Sequence, residues 1–167
     1  KHLKQMLENK DIKTFLPSIV IMLMHLNKTK EYAKCYLSIG KFPKELQNKH
    51  KEIYNIVLES QLAGITYAKS GIKCSDLDKV CRDVIDGEGY GELFMHSTGH
   101  GLGLEVHTMP RISWMNNTRL EENNVITIEP GIYIAGWGGV RIEDDCLITK
   151  NSCKPMNRST KDLVIVG

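Results

Sequence analysis

At 167 residues, with 41% apolar and 25% charged side chains, the chain has ordinary globular composition and length enough for one domain with a sizeable core. A net charge of +2 gives no reason to expect nucleic acid or an anionic membrane surface as a partner. Five cysteines without framework spacing argue against a secreted disulfide scaffold, no CxxC pair marks a zinc site, and the longest apolar run (18–26) is too short to span a bilayer, so a cytoplasmic protein is expected.

In chain order, residues 1–10 read as the tail of a helix, and a start without Met suggests a chain that begins part-way through a larger gene product. SIVIML (18–23) has the length of a buried strand, and 27–40 has only weak strand character. Pro43 opens a long helical pattern in which Ile53, Ile56, Val57 and Ala63 share a face, with Gly71 as its end. A second helix starts at Ser75, where Ser75 and Asp78 resemble a capping box. Leu77, Val80, Cys81, Val84 and Ile85 form its apolar stripe, and Cys74 and Cys81 belong to the core.

GEGYG (87–91) is a loop, after which the pattern changes to strands: LGLEVH (102–107), NNVITIEP (123–130), GIYIA (131–135), GVRIEDDCLIT (139–149) and DLVIVG (162–167). Gly138 and Gly139 are expected to turn the chain before the fourth of these. Helices first and an antiparallel sheet afterwards define an α+β class, helices packed on a curved antiparallel sheet. Without a repeat or a linker, 1–167 reads as one domain.

The chemistry concentrates in three places. HSTGHGLGLEVH (96–107) holds His96, His100 and His107, broken up by glycines. Glu129 sits between Ile128 and Pro130, and Glu143 follows Ile142 two residues after Arg141. Taken singly, each has a plain structural explanation: a strand Glu usually faces water, a His is usually a satisfied core or surface residue, and Gly99, Gly101 and Gly103 mark bulges or a turn. Taken together they carry more weight. A carboxylate buried among apolar neighbours needs a partner, and two acids with an imidazole on a rigid sheet form a ligand set for zinc, manganese, iron or cobalt.

GHGLGLEVH, TIEPGIYI and GGVRIEDD, in this order and spacing, closely resemble the C-terminal half of the "pita-bread" metallopeptidases (creatinase/aminopeptidase-like), which include aminopeptidase P, prolidase and methionine aminopeptidase. The motif details are most similar to the Xaa-Pro peptidases, and the run 40–65 resembles the first long helix of their catalytic domain. The resemblance covers roughly 40–167, with FLPSIV (15–20) a weaker match upstream. It implies a truncated pita-bread fold and a divalent metal, manganese first, with cobalt or zinc as alternatives. It implies a peptide substrate with proline at the second position, and it leaves a homodimer open.

Carried over residue by residue, it places His100, Glu129 and Glu143 on metal ligands, Glu143 as the one that bridges two metals. His96 and His107 fall on histidines that line the substrate site and help hold the transition state. Arg141 falls beside the bridging glutamate. His25, in LMHL, is similar in context to a further active-site histidine.

The resemblance also implies two aspartate ligands on a hairpin before the first long helix, the first in an Asp-x-Gly context. The stretch 21–40 carries no aspartate; its one acid, Glu31, falls near the second position in poorly matching surroundings, and Asp11 lies earlier in no such context. A two-metal site depends on bridging carboxylates that hold two like charges together. His100, Glu129 and Glu143 alone are therefore expected to neutralise one divalent ion at most.

Three readings follow. The first is a degenerate Xaa-Pro peptidase with little hydrolysis. The second is a one-metal peptidase with Glu129 as proton shuttle and His107 polarising the tetrahedral intermediate. The third, of a different class, is an inactive peptide-binding or scaffold module. Trp114 and Trp137 are candidates to line the groove.

Overall fold

Among the described residues, two helices lie against a sheet whose strands all run antiparallel. The computed structural model describes residues 44–163. Helix α1 spans Lys44–Tyr67, helix α2 spans Cys74–Gly87, and a short 3-10 turn covers Gly91–Leu93. Seven strands follow: β1 (Gly99–Gly101), β2 (Thr108–Ile112), β3 (Val125–Ile128), β4 (Gly131–Ile134), β5 (Gly138–Arg141), β6 (Asp144–Ile148) and β7 (Cys153–Pro155). The main sheet has the order β2-β1-β3-β6-β7, and β4 and β5 form a separate hairpin. This is the expected α+β arrangement. The readings at 1–10, 15–20, 18–23 and 27–40, together with His25, Asp11 and Glu31, lie outside the described residues, as does most of DLVIVG.

The apolar faces read from the sequence build the core. Ile53, Ile56 and Val57 from α1 and Leu77, Cys81 and Ile85 from α2 are buried with Ile112, Ile126, Ile128, Ile132, Val140 and Ile148 from the strands. Val80 and Val84 are half-buried on the flank of the same stripe. The two helices approach closely at Gly64, where a Cβ would stand 2.5 Å from the Cys81 Sγ. Cys74 and Cys81 are core thiols whose burial pushes them up to about 11 and about 12. Such thiols are inert.

Four sequence expectations are corrected. First, α1 ends at Tyr67 rather than at Gly71; Gly71 lies beyond it with φ +89, its N–H donating to Leu120 O at 2.8 Å. Second, no capping box forms on α2. The helix begins one residue earlier, and Lys73 at its N-cap makes no side-chain bond. The orphan N–H groups of Cys74 and Ser75 donate instead to Thr118 O at 2.9 Å and Asn116 O at 2.8 Å, so a neighbouring loop replaces the side-chain cap. Asp78 is free to turn into the interior, where it is fully buried.

Third, LGLEVH is not a strand. After His100 the pairing with β2 slips in a bulge, and 103–107 runs as exposed bends. The strand that pairs with β1 is the next segment, TMPRI. Fourth, Gly138 and Gly139 lie in β5 itself; the turn before it is 135–137.

Candidate metal centre

The site lies where β1, the end of β3 and the β5–β6 junction meet. His100 is the middle residue of β1. Its flanking glycines have a packing reason: a Cβ on Gly99 would stand 2.0 Å from Thr127 O, and one on Gly101 would stand 2.3 Å from Met109 O. Only glycine lets β1 sit this close to β3 and β2 on either side of the histidine. Glu129 directly follows β3, and Glu143 lies in the two-residue break between β5 and β6. Both acids therefore sit at strand ends rather than within strands.

Thr127 ties the first two groups together. It is buried, its Oγ1 accepts the His100 backbone N–H at 3.0 Å, and its hydroxyl donates to Glu129 Oε1 at 2.9 Å. The Glu129 N–H donates to Thr98 O at 2.7 Å. His100 Nδ1 faces Gly101 O at 2.9 Å. A carbonyl can only accept, so Nδ1 carries the proton in the neutral ring and Nε2 presents a lone pair. That lone pair faces Glu129 Oε1 at 3.1 Å. Two acceptors at this distance require a proton or a cation between them. Adjacent donors that each bind one small divalent ion at about 2.1 Å have a similar separation.

Arg141 joins Glu143 to the pair. Its Nε stands 3.5 Å from Glu129 Oε2 and its Nη2 stands 3.3 Å from Glu143 Oε2. Nε is buried and makes no hydrogen bond. Burial disfavours the guanidinium charge, but Glu143 and Glu129 outweigh it and hold the group firmly charged. Burial, and then the charge of Glu129, pushes the Glu143 carboxyl above its usual range, against the pull of Arg141. Among the described residues, no three His, Cys, Asp or Glu side chains close into a cation site. His100 and Glu129 meet directly, and Glu143 reaches them through Arg141. The chemistry of one imidazole and two carboxylates fits a single divalent ion.

The other two histidines differ. His96 lies in the segment before β1, with Nδ1 on Ser97 O at 2.9 Å and Nε2 on the Tyr133 hydroxyl at 2.8 Å. Tyr133 lies beside Arg141, and burial raises its phenol above the ordinary value. His107 is exposed, with its ring centroid 4.3 Å from that of His100. Trp114 covers the Arg82 guanidinium at 4.9 Å, whereas Trp137 packs against His50 on α1 at 4.4 Å. Sequence reasoning missed Thr127, Tyr133 and the buried Asp78. An acid and Arg82 at i,i+4 spacing was the signal for Asp78; for a lone strand Thr there is none.

Paired helices backing an antiparallel sheet, with His100 on an inner strand and Glu129 and Glu143 at neighbouring strand ends, match the pita-bread fold. The chain belongs to metallopeptidase family M24, whose family model matches residues 29–150. It is 54% identical over 116 residues to an Xaa-Pro dipeptidase of Pyrococcus horikoshii, a match over 70% of this chain and 33% of that protein. The crystal structure of the prolidase from Pyrococcus horikoshii OT3 superposes with a TM-score of 0.69 over 70% of this chain and 34% of that one, at 54% identity. An X-Pro aminopeptidase structure from Thermotoga maritima gives 0.70 over 77% and 36%, at 43% identity. The chain thus spans about a third of the length of the curated relatives it matches. Among the described residues, no helix is long and apolar enough to cross a membrane.

Proposed function

We propose that this chain is part of the catalytic domain of an Xaa-Pro dipeptidase-like enzyme that takes peptides with proline at the second position. In this reading His100, Glu129 and Glu143 hold one divalent ion, manganese first, with cobalt or zinc next. One observation carries it: the His100 Nε2 lone pair facing Glu129 Oε1 at 3.1 Å, with Nδ1–H committed to Gly101 O. The names of the relatives support the substrate class. Four free thiols among the described residues suit a cytoplasmic, reducing compartment.

When bound, the ion supplies Lewis-acid polarisation of a peptide carbonyl and lowers the pKa of a water. Glu129, held by Thr127, accepts the proton of the attacking water and returns it to the leaving amine. His107, exposed beside His100, donates a hydrogen bond to the developing oxyanion. His96 lines the substrate site in this reading, oriented by Tyr133. Arg141 keeps the two carboxylates from repelling one another.

A second reading, a peptide-binding module without hydrolysis, is favoured by the same Arg141, because its guanidinium already compensates both carboxylates. Calorimetry and elemental analysis with manganese, cobalt and zinc, on the wild type and on His100→Ala, separate the two. One bound ion that is lost in the variant is the expected result. No uptake at micromolar metal makes the second reading the right one.

A further inference from the structure

Outside the ligand set, Arg82 and Asp78 lie one turn apart on α2. The Asp78 carboxylate is fully buried. Its Oδ1 accepts the backbone N–H of Thr98 at 2.9 Å, and its Oδ2 accepts Arg82 Nε at 3.0 Å. Arg82 Nη2 also donates to Asp78 Oδ1 at 3.2 Å, and two further bonds reach the same segment: Nη1 donates to Phe94 O at 2.8 Å and Nη2 to His96 O at 3.0 Å. Its guanidinium carbon lies 4.2 Å from the Phe94 ring centroid and 4.9 Å from that of Trp114.

These contacts grip the β1–β2 hairpin at both ends. Phe94–Thr98 is the chain entering β1, and Trp114 lies two residues beyond β2, whose Ile112 is paired with Gly99. His96 is in the gripped segment, and His100 and His107 lie between its two ends.

We propose that Arg82 and Asp78 are positioning residues for the histidine side of the site: the planar guanidinium, oriented by the buried carboxylate, sets where the main chain of 94–98 lies and so where His96 and His100 are presented. An ordinary i,i+4 ion pair would serve only its own helix. This one places two charge-assisted bonds on carbonyls of another segment, and lysine, with a compact ammonium, cannot make the same fork. The catalytic meaning of the clamp rests on the function proposed above; its geometry does not.

The test is the histidine imidazole proton–carbon spectrum of the full chain, for the wild type and Arg82→Lys, well below the melting temperature of each. The resonances of His96 and His100 are expected to move by more than their linewidth, while those of His50, packed on Trp137, stay in place. A purely helix-stabilising role would lower the melting temperature and leave the folded-state spectrum unchanged. Unmoved His96 and His100 resonances, or a His50 that moves as far as they do, overturn the proposal. Should Arg82→Lys fail to fold, Asp78→Asn, which keeps an acceptor oxygen for Thr98, is expected to give a smaller displacement of the same two histidines, and its silence overturns the proposal equally. Displaced histidines without metal uptake would keep the clamp and remove the peptidase reading; tight metal uptake with unmoved histidines would do the reverse.

Discussion

The stretch HSTGHGLGLEVH divides into two halves of opposite physical character. In the first, 96–101, Thr98 and Gly99 are buried, and the Thr98 N–H, the His96 carbonyl and the His100 N–H each have a named partner on α2 or β3. In the second, 102–107, Leu104 is fully exposed, Val106 and His107 face solvent, and the main chain turns away from the sheet after the Leu102 N–H donates to Val125 O at 2.9 Å. Both halves carry histidine and glycine, with serine and threonine in the first and leucine, valine and glutamate in the second. The structural difference is whether other elements supply partners for the backbone. His100 lies in the held half, and the exposed His107 lies in the open one.

The sharpest way to break this contrast is a pair of matched substitutions. Gly99→Ala puts a Cβ on Thr127 O and is expected to cost about 3 kcal/mol or more. Gly103→Ala, where a Cβ meets the Thr108 methyl at 3.3 Å, is expected to cost less than about 0.5 kcal/mol. Urea unfolding of the two variants measures the difference; equal costs would mean the halves are not distinct.

Next in size is Thr127→Val. It keeps the shape and removes both the acceptor for His100 N–H and the donor to Glu129, for an expected loss of about 1–3 kcal/mol. Thr127→Ser should recover most of that loss in the same assay. A Val variant as stable as the wild type would show that this hydroxyl does not hold the first half.

The acidic side of the site gives a smaller, pH-dependent effect. The Glu143 carboxyl is raised above its ordinary value of 4.5 in the folded protein, so the folded state binds more protons than the unfolded one between the ordinary and the raised value. Stability from this group is full below the ordinary value and is lost as pH rises through the raised one. Metal-free protein should therefore lose stability as pH climbs through that window. Glu143→Gln should flatten the dependence and melt a few degrees higher at neutral pH. Thermal melts across pH in the presence of a chelator decide this. The smallest effect belongs to the open half: Leu104→Ser should change unfolding stability by no more than about 0.5 kcal/mol.

Where periodicity alone controls an element, the sequence is a good guide. The stripe Leu77–Cys81–Ile85 and the face Ile53–Ile56–Val57 predict the buried sides of α2 and α1, because helical spacing and the core face are one geometric fact. LGLEVH alternates like a strand and is none, since alternation records no hydrogen-bonding partner and the bulge after His100 gives the pairing to TMPRI. Ser75 and Asp78 have the spacing of a cap, but a loop that comes some forty residues later supplies the carbonyls and leaves the aspartate to Arg82 and Thr98.

What the sequence by itself determined is the inventory: an α+β chain of family M24 type, with His100, Glu129 and Glu143 in motifs specific enough to identify the class. Those motifs are local strings, and local strings survive in a linear reading. What only the tertiary structure decided is which groups meet. His100 and Glu129 stand 3.1 Å apart and are both bonded to Thr127, Glu143 is linked to them by Arg141, and Arg82, paired with Asp78, donates to the His96 carbonyl just before β1. The contacts of His100 with Glu129 and Thr127, of Arg141 with Glu129, and of Arg82 with the His96 carbonyl join residues on different elements, and a short-range bond between distant positions exists only once the sheet has closed and excluded the water that would otherwise satisfy both partners.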